Sequence, residues 1–136
     1  PDMATSKPQH PEWAKPGERA VVVVTRNGRD ETVVTDKIER LTPTLLVTEA
    51  GRRFTPSGGE EYISSTRGDY RDRLFAWDSD DGVRARSRAV VRNRIRALTQ
   101  AVKDQTEDPL NVENAQRLVE LSQAVQDRAT PYSQIR

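Results

Sequence analysis

The sequence predicts an α+β protein, a small antiparallel β-barrel followed by an α-helical hairpin. Between residues 17 and 77, β-branched residues recur in short runs separated by tight-turn signals, the signature of successive short strands. Between 83 and 130 the apolar residues change to helical spacing, with no glycine and one proline. The acidic residues Asp78, Asp80 and Asp81, with Gly82, mark the border.

Residues 1–16 hold Pro1, Pro8, Pro11 and Pro16 among polar neighbours, which opposes helix and sheet alike and predicts a proline-rich tail. Trp13 is its one large apolar group and is expected as a lid on the adjoining core. Ala20 to Thr25 reads as a first strand, Asn27-Gly28 as a tight turn, and Glu31 to Arg40 as a second strand. Either Val33, Thr35 and Lys37 or Val34, Asp36 and Ile38 form its inner face. Leu41, Thr42 and Pro43 lead into a third strand, Thr44 to Thr48; Ala50-Gly51 turns it into a fourth holding Arg52, Arg53 and Phe54. Gly58-Gly59 breaks the chain before Tyr62 and Ile63. Tyr70 to Trp77 fits strand or helix spacing and is read as a short closing strand. Such a meander curls into a barrel because closure removes exposed edges.

The first helix is expected from Val83 to Asp104, with Val91, Ile95, Leu98 and Val102 on one side, widened by Val90 and Ala101. Asp108-Pro109 caps and begins the second, whose stripe is Ala115, Leu118, Ser122, Val125 and Ala129, adjoined by Val112, Val119 and Leu121. Neither helix buries its stripe alone, so an antiparallel hairpin is expected, ended by Thr130-Pro131, with residues 131–136 as a C-terminal tail. No internal repeat is visible.

Composition narrows the chemistry. The 136 residues suffice for one compact domain, or a small one with a helical appendage. The absence of cysteine removes disulfides, thiol catalysis and thiolate metal sites, and the single histidine, His10, argues against a zinc or iron centre. No metal or cofactor is expected. No apolar run approaches the roughly 20 residues that span a bilayer, and no basic segment followed by an apolar one opens the chain, so the expected location is cytoplasmic and no membrane partner is expected. The net charge of +1 hides an asymmetry: residues 1–82 hold 12 basic and 15 acidic side chains, residues 83–136 hold 10 and 6. Arginine outnumbers lysine 18 to 4, a skew that GC-rich codon usage also produces.

The main candidate site is a ladder of Arg84, Arg88, Arg92 and Arg96, every fourth residue of the first helix. At about 100° per residue the ladder drifts only about 40° per step and forms one cationic stripe. Arg86 and Lys103 extend the field, and no Asp or Glu occurs between Arg84 and Lys103. The stripe suits phosphates or an acidic protein surface. Asp104, Glu107, Glu113, Glu120 and Asp127 compete for it from within the hairpin, and most charged helix faces are simply solvated. Arg94 falls among the apolar positions, where it should snorkel at the hairpin edge or meet a buried acid. Arg52 and Arg53, beside Phe54, form a secondary binding candidate, although strand alternation sends Phe54 inward and Arg53 to the surface. The acidic run from Asp78 approaches a calcium loop, but its glycine comes one place early and no glutamate follows at the twelfth position. Ser64, Ser65 and Thr66 have no histidine in the folded region to activate them, so no enzyme is expected.

Trp13 to Gly17, the run Val21 to Val24, Ile38 with Thr42, Leu46 and Val47, and Ala50-Gly51-Arg52-Arg53-Phe54 make a recurring pattern. It resembles the small SH3-like β-barrel proteins of actinobacteria and their bacteriophages, over about residues 13–77. The resemblance implies a compact SH3-like barrel used for binding, in the bacterial host cytoplasm if phage-encoded, and does not extend to the helices. The resulting expectation is a non-enzymatic, phage-related accessory protein that binds nucleic acid or nucleic-acid-associated machinery through the arginine-rich helix. The alternative is a protein–protein module that self-assembles, or binds a host or virion protein, through the hairpin.

Overall fold

The computed structural model describes residues 10–26, 30–57, 61–64 and 70–132. The turn signals at Asn27-Gly28 and Gly58-Gly59, the hydroxyls of Ser65 and Thr66, residues 1–9 of the tail and residues 133–136 lie outside them. Six antiparallel strands are described: β1 Arg19–Arg26, β2 Asp30–Leu41, β3 Leu46–Thr48, β4 Arg53–Pro56, β5 Tyr62–Ser64 and β6 Tyr70–Ala76. They pair in sequence order, and β6 returns to β1 with Val22 opposite Leu74, closing the barrel. Tyr70 to Ala76 is therefore the closing strand that alternation favoured.

Alternation sorts the valine run of β1 onto two faces. Ala20 and Val22 point into the barrel with Ile38, Leu46, Phe54, Tyr62 and Leu74, all fully buried. Val21 and Val23 point outward and are buried too, in a second cluster with Phe75 and Ala85. A strand covered on both faces reads as an unbroken apolar run, which is why β1 lacks polar alternation. On β2 the structure chooses the inner set containing Val34 and Ile38, so Asp36 shares their side and is only 7% exposed.

Residues 10–16 are not a loose tail. Ala14 is buried in the barrel core, and Trp13 packs edge-on against Tyr62 as the expected lid. The His10 ring stacks on Tyr62, and its Nε2 lies 2.7 Å from the Thr42 carbonyl oxygen while Nδ1 lies 2.9 Å from the Tyr62 hydroxyl. A carbonyl only accepts, so in the neutral ring Nε2 carries the proton and Nδ1 accepts from the tyrosine. Burial pushes the Tyr62 phenol up to about 12.

Helix α1 runs Asp80–Glu107 and α2 runs Val112–Ala129, followed by a 3-10 turn, Thr130–Tyr132. The first helix begins earlier than its apolar stripe suggests. Ser79 starts it, its Oγ accepting from the Gly82 amide and donating to the Ala76 carbonyl, and Asp80 and Asp81 occupy the first turn. α2 begins after Asn111, whose side chain accepts from the Asn114 amide, rather than at Asp108-Pro109. Two compact units result, Pro1–Arg86 and Ser87–Arg136, with the first turns of α1 belonging to the barrel unit.

Candidate interaction surfaces

Gly82 and Arg86 hold the start of α1 to the barrel. A Cβ at Gly82 would overlap the Ala76 carbonyl oxygen, so this turn approaches the end of β6 only because the residue is glycine. Arg86 is turned onto Trp77: its guanidinium carbon lies 4.0 Å from the ring centroid, and Nη2 donates to the Trp77 carbonyl at 3.0 Å. Arg19 stacks on the same indole at 4.2 Å. Sequence spacing placed Arg86 in the cationic field, whereas the structure turns it onto Trp77 at the end of the barrel strands. The signal that could have revealed this is Trp77 itself, an exposed-looking indole nine residues earlier.

The second candidate pair divides as alternation requires. Phe54 is fully buried and Arg53 is exposed. Arg52, just before the strand, donates from Nη1 to Asp36 Oδ2 at 2.6 Å. Burial alone would raise the Asp36 carboxyl, but hydrogen bonds from Thr48, the Lys37 amide and Arg52, together with the Arg52 charge, leave it below its ordinary value. Arg52 thus neutralises an acid on the inner side of β2 and does not stand with Arg53 as a binding pair. Asp36 is a partner that the sequence concealed 16 residues upstream.

In the helical unit, Ser87 bonds Tyr132 at 2.8 Å and Arg128 at 3.3 Å, and Arg94 Nη1 donates to the Ala124 carbonyl at 2.6 Å. These contacts align α1 and α2 antiparallel. Arg94 reaches across to a backbone oxygen and not to a buried acid. At about 100° per residue, Arg88, Arg92 and Arg96 lie well over a quarter turn from the side of α1 that Ser87 and Arg94 turn toward α2. Arg88, Arg92 and Arg96 are therefore directed away from α2. Arg88, Arg96 and Lys103 are exposed, while Arg84 and Arg92 are half-buried. Arg96 donates to Asn93 on its own helix, and Asp104 and Asp127 accept from Gln100 and Gln123 on theirs.

The apolar side chains of this unit are the other conspicuous surface. No residue of α2 is buried, and from residue 87 onward only Ser87 and Ala101 are buried among the described residues. Ile95 and Val102 are 45% and 49% exposed, Val112 and Val119 67% and 71%. The expected hairpin is thus an antiparallel pair whose stripes are half-buried at Val91, Leu98, Leu118 and Val125 and exposed at Ile95, Val102, Val112 and Val119.

Among the described residues no group of three or more His, Cys, Asp or Glu side chains is placed to hold a metal ion, and no helix is long and apolar enough to cross a membrane. No family model, curated protein or solved structure matches the chain.

Proposed function

We propose that this chain is a non-enzymatic association module, in which the barrel is a stable support and the helical unit presents the contact surface for another protein. The observation that carries this reading is the uncovered apolar surface of α1 and α2, with four aliphatic side chains of the helices between 45% and 71% exposed. Helix pairs form to bury such stripes, and clustered exposure of this kind marks interaction sites. Replacing Ile95, Leu118 and Val119 together by serine is expected to leave the barrel folded and abolish association, measured by sedimentation of the chain alone and in mixtures. Association that survives the triple substitution would sink the reading.

The second reading, nucleic-acid binding, is favoured by the direction of the cationic stripe: Arg88, Arg92, Arg96 and Lys103 occur in a stretch without acids, and Arg88, Arg92 and Arg96 are turned away from α2. On this reading, affinity for duplex or single-stranded nucleic acid falls steeply with added salt and drops on Arg88→Glu with Arg92→Glu. Equal affinity in the reversed variant would remove it. The resemblance of residues 13–77 to SH3-like barrels of actinobacteria and their phages supports an accessory role under either reading. An SH3-like identity for the barrel is part of that proposal.

A further inference from the structure

We infer that the end of the barrel beneath residues 10–16 is a peptide-recognition site, occupied in this structure by the chain's own segment as a displaceable resident ligand. The ligand that displaces it is a segment of another protein, carrying a neutral imidazole three residues ahead of a large aromatic ring. The site belongs to the barrel unit, so the inference stands independently of the helical surface.

The backbone of the segment is self-contained. The Ala14 amide donates to the Pro11 carbonyl, the Lys15 amide to Trp13, and the Glu18 amide back to Lys15. Pairing with β2 starts only afterwards, where the Gly17 amide donates to the Ile38 carbonyl and the Ile38 amide to Glu18. Among the described residues, no main-chain group from 10 to 16 bonds to a strand, and the six strands close their ring without this segment. A turn that satisfies its own amides and docks by side chains is built like a bound peptide, not like an added strand.

The side chains make the contacts, and they are selective. Tyr62 is fully buried and meets two rings of the segment, His10 stacked with ring planes 18° apart and Trp13 edge-on at 86°. Ala14 adds a small side chain to the interior cluster of Ile38, Leu46, Phe54 and Leu74. His10 is read on both nitrogens: Nε2 lies 2.7 Å from the Thr42 carbonyl oxygen, and Nδ1 lies 2.9 Å from the Tyr62 hydroxyl. A lysine ammonium offers donors alone and a carboxylate acceptors alone. The site therefore reads a neutral ring with a donor on one edge and an acceptor on the other.

The fit has one fault. Trp13 Nε1 is buried with no hydrogen-bond partner among the described residues. A buried donor without an acceptor weakens docking, so the resident segment is a submaximal occupant that a better one displaces. Pro16-Gly17 is the hinge for that exchange, with Gly17 at φ 91°, a conformation that glycine adopts readily.

The test is fluorescence anisotropy of a labelled, acetylated peptide spanning residues 10–16, titrated with the full chain. His10→Ala with Trp13→Ala vacates the site, and Trp77 fluorescence with far-UV circular dichroism reports whether the variant is folded. This double variant is expected to bind the peptide saturably. The unsubstituted chain is expected to bind about tenfold or more weakly, because a tethered segment competes at an effective concentration on the order of millimolar. Methylating the peptide's histidine at Nε2, or at Nδ1, should weaken binding about fivefold or more, since either change leaves a buried partner unsatisfied. With Tyr62→Phe added to the double variant, the Nδ1 methyl should cost little, because the phenol it opposes is gone. Naphthylalanine in place of the peptide's tryptophan keeps the bulk and drops the orphaned donor, and should tighten binding about fivefold or more. A folded double variant that shows no saturable binding, or binding indifferent to both methyl groups, overturns the inference. If the double variant does not fold, His10→Ala alone, which keeps the Trp13 and Ala14 packing, takes its place and is expected to bind the peptide more tightly than the unsubstituted chain. Loss of the fold there too also overturns the inference, since residues 10–16 would then be part of the barrel's core and not a ligand.

Discussion

The strands and the helices draw on the same aliphatic residues, yet the strands bury them and the helices largely do not. Val21, Val22, Val23, Ile38, Leu46 and Leu74 are at most 2% exposed, whereas Val112 and Val119 stand more than two-thirds exposed. The difference lies in closure. A ring of six strands surrounds its own interior, so every inward residue meets others across the barrel, and the first turns of α1 cover part of the outside. Two helices share one line of contact, which half-buries Val91, Leu98, Leu118 and Val125 and leaves Ile95, Val102, Val112 and Val119 exposed. Similar hydrophobic content therefore makes a closed core in one unit and a partly exposed apolar surface in the other.

The largest effect expected of a substitution falls inside the barrel. Phe54→Ala should cost about 3–5 kcal/mol, because it empties a fully buried site enclosed by strands. Both tryptophans, Trp13 and Trp77, belong to the barrel unit, so the fluorescence-detected urea transition reads this loss. A shift below about 1 kcal/mol would mean that the barrel is not the rigid partner in the comparison.

Arg52→Ala comes next, at about 3 kcal/mol, since it strands the buried Asp36 carboxylate; the figure sits at the low end for a broken buried pair because Arg52 is one-third exposed. The same pair sets an acid limb. The folded Asp36 pKa lies below its ordinary value of 3.8, so its stabilisation is complete above that value and disappears as pH falls through the lower, folded one. Asp36→Asn should flatten this limb in an acid titration of stability. At the alkaline end, Tyr62 is raised from 10.0 to about 12, so stability present below pH 10 is lost between those values as the unfolded phenol ionises. Tyr62→Phe should remove that loss.

Gly82→Ala should cost about 1–3 kcal/mol, by forcing the first turn of α1 off the Ala76 carbonyl. It should move the fluorescence transition, since this turn belongs to the barrel unit. The smallest effect is expected at Val119→Ser, within about 0.5 kcal/mol for the isolated chain, because its side chain is already 71% exposed. A large loss of stability there would show that the helical face is covered within one chain, and the contrast between the units would dissolve.

Much of the strand and helix order was legible because it follows from local periodicity: β-branched runs between turns, then stripes that advance in steps of three and four. Helix starts were less legible, since Ser79 and Asn111 act through single hydrogen bonds that leave little trace beside the acidic and proline signals nearby. Of the candidate site, the existence of one cationic stripe was readable from helical spacing, while its direction relative to the second helix stayed open. The diversion of Arg86 to Trp77 and of Arg52 to Asp36 was not readable, because each depends on which strand neighbours which.

Sequence pattern sufficed to specify the kind of each element, the inward turn of Phe54 and the cationic stripe, all of which depend on residues a few positions apart. The tertiary structure decided which cations serve the fold, tied His10 to Tyr62 across 52 residues, and left the helical stripes partly uncovered. Those outcomes rest on long-range juxtaposition, where a ring can satisfy its interior and a pair of helices cannot.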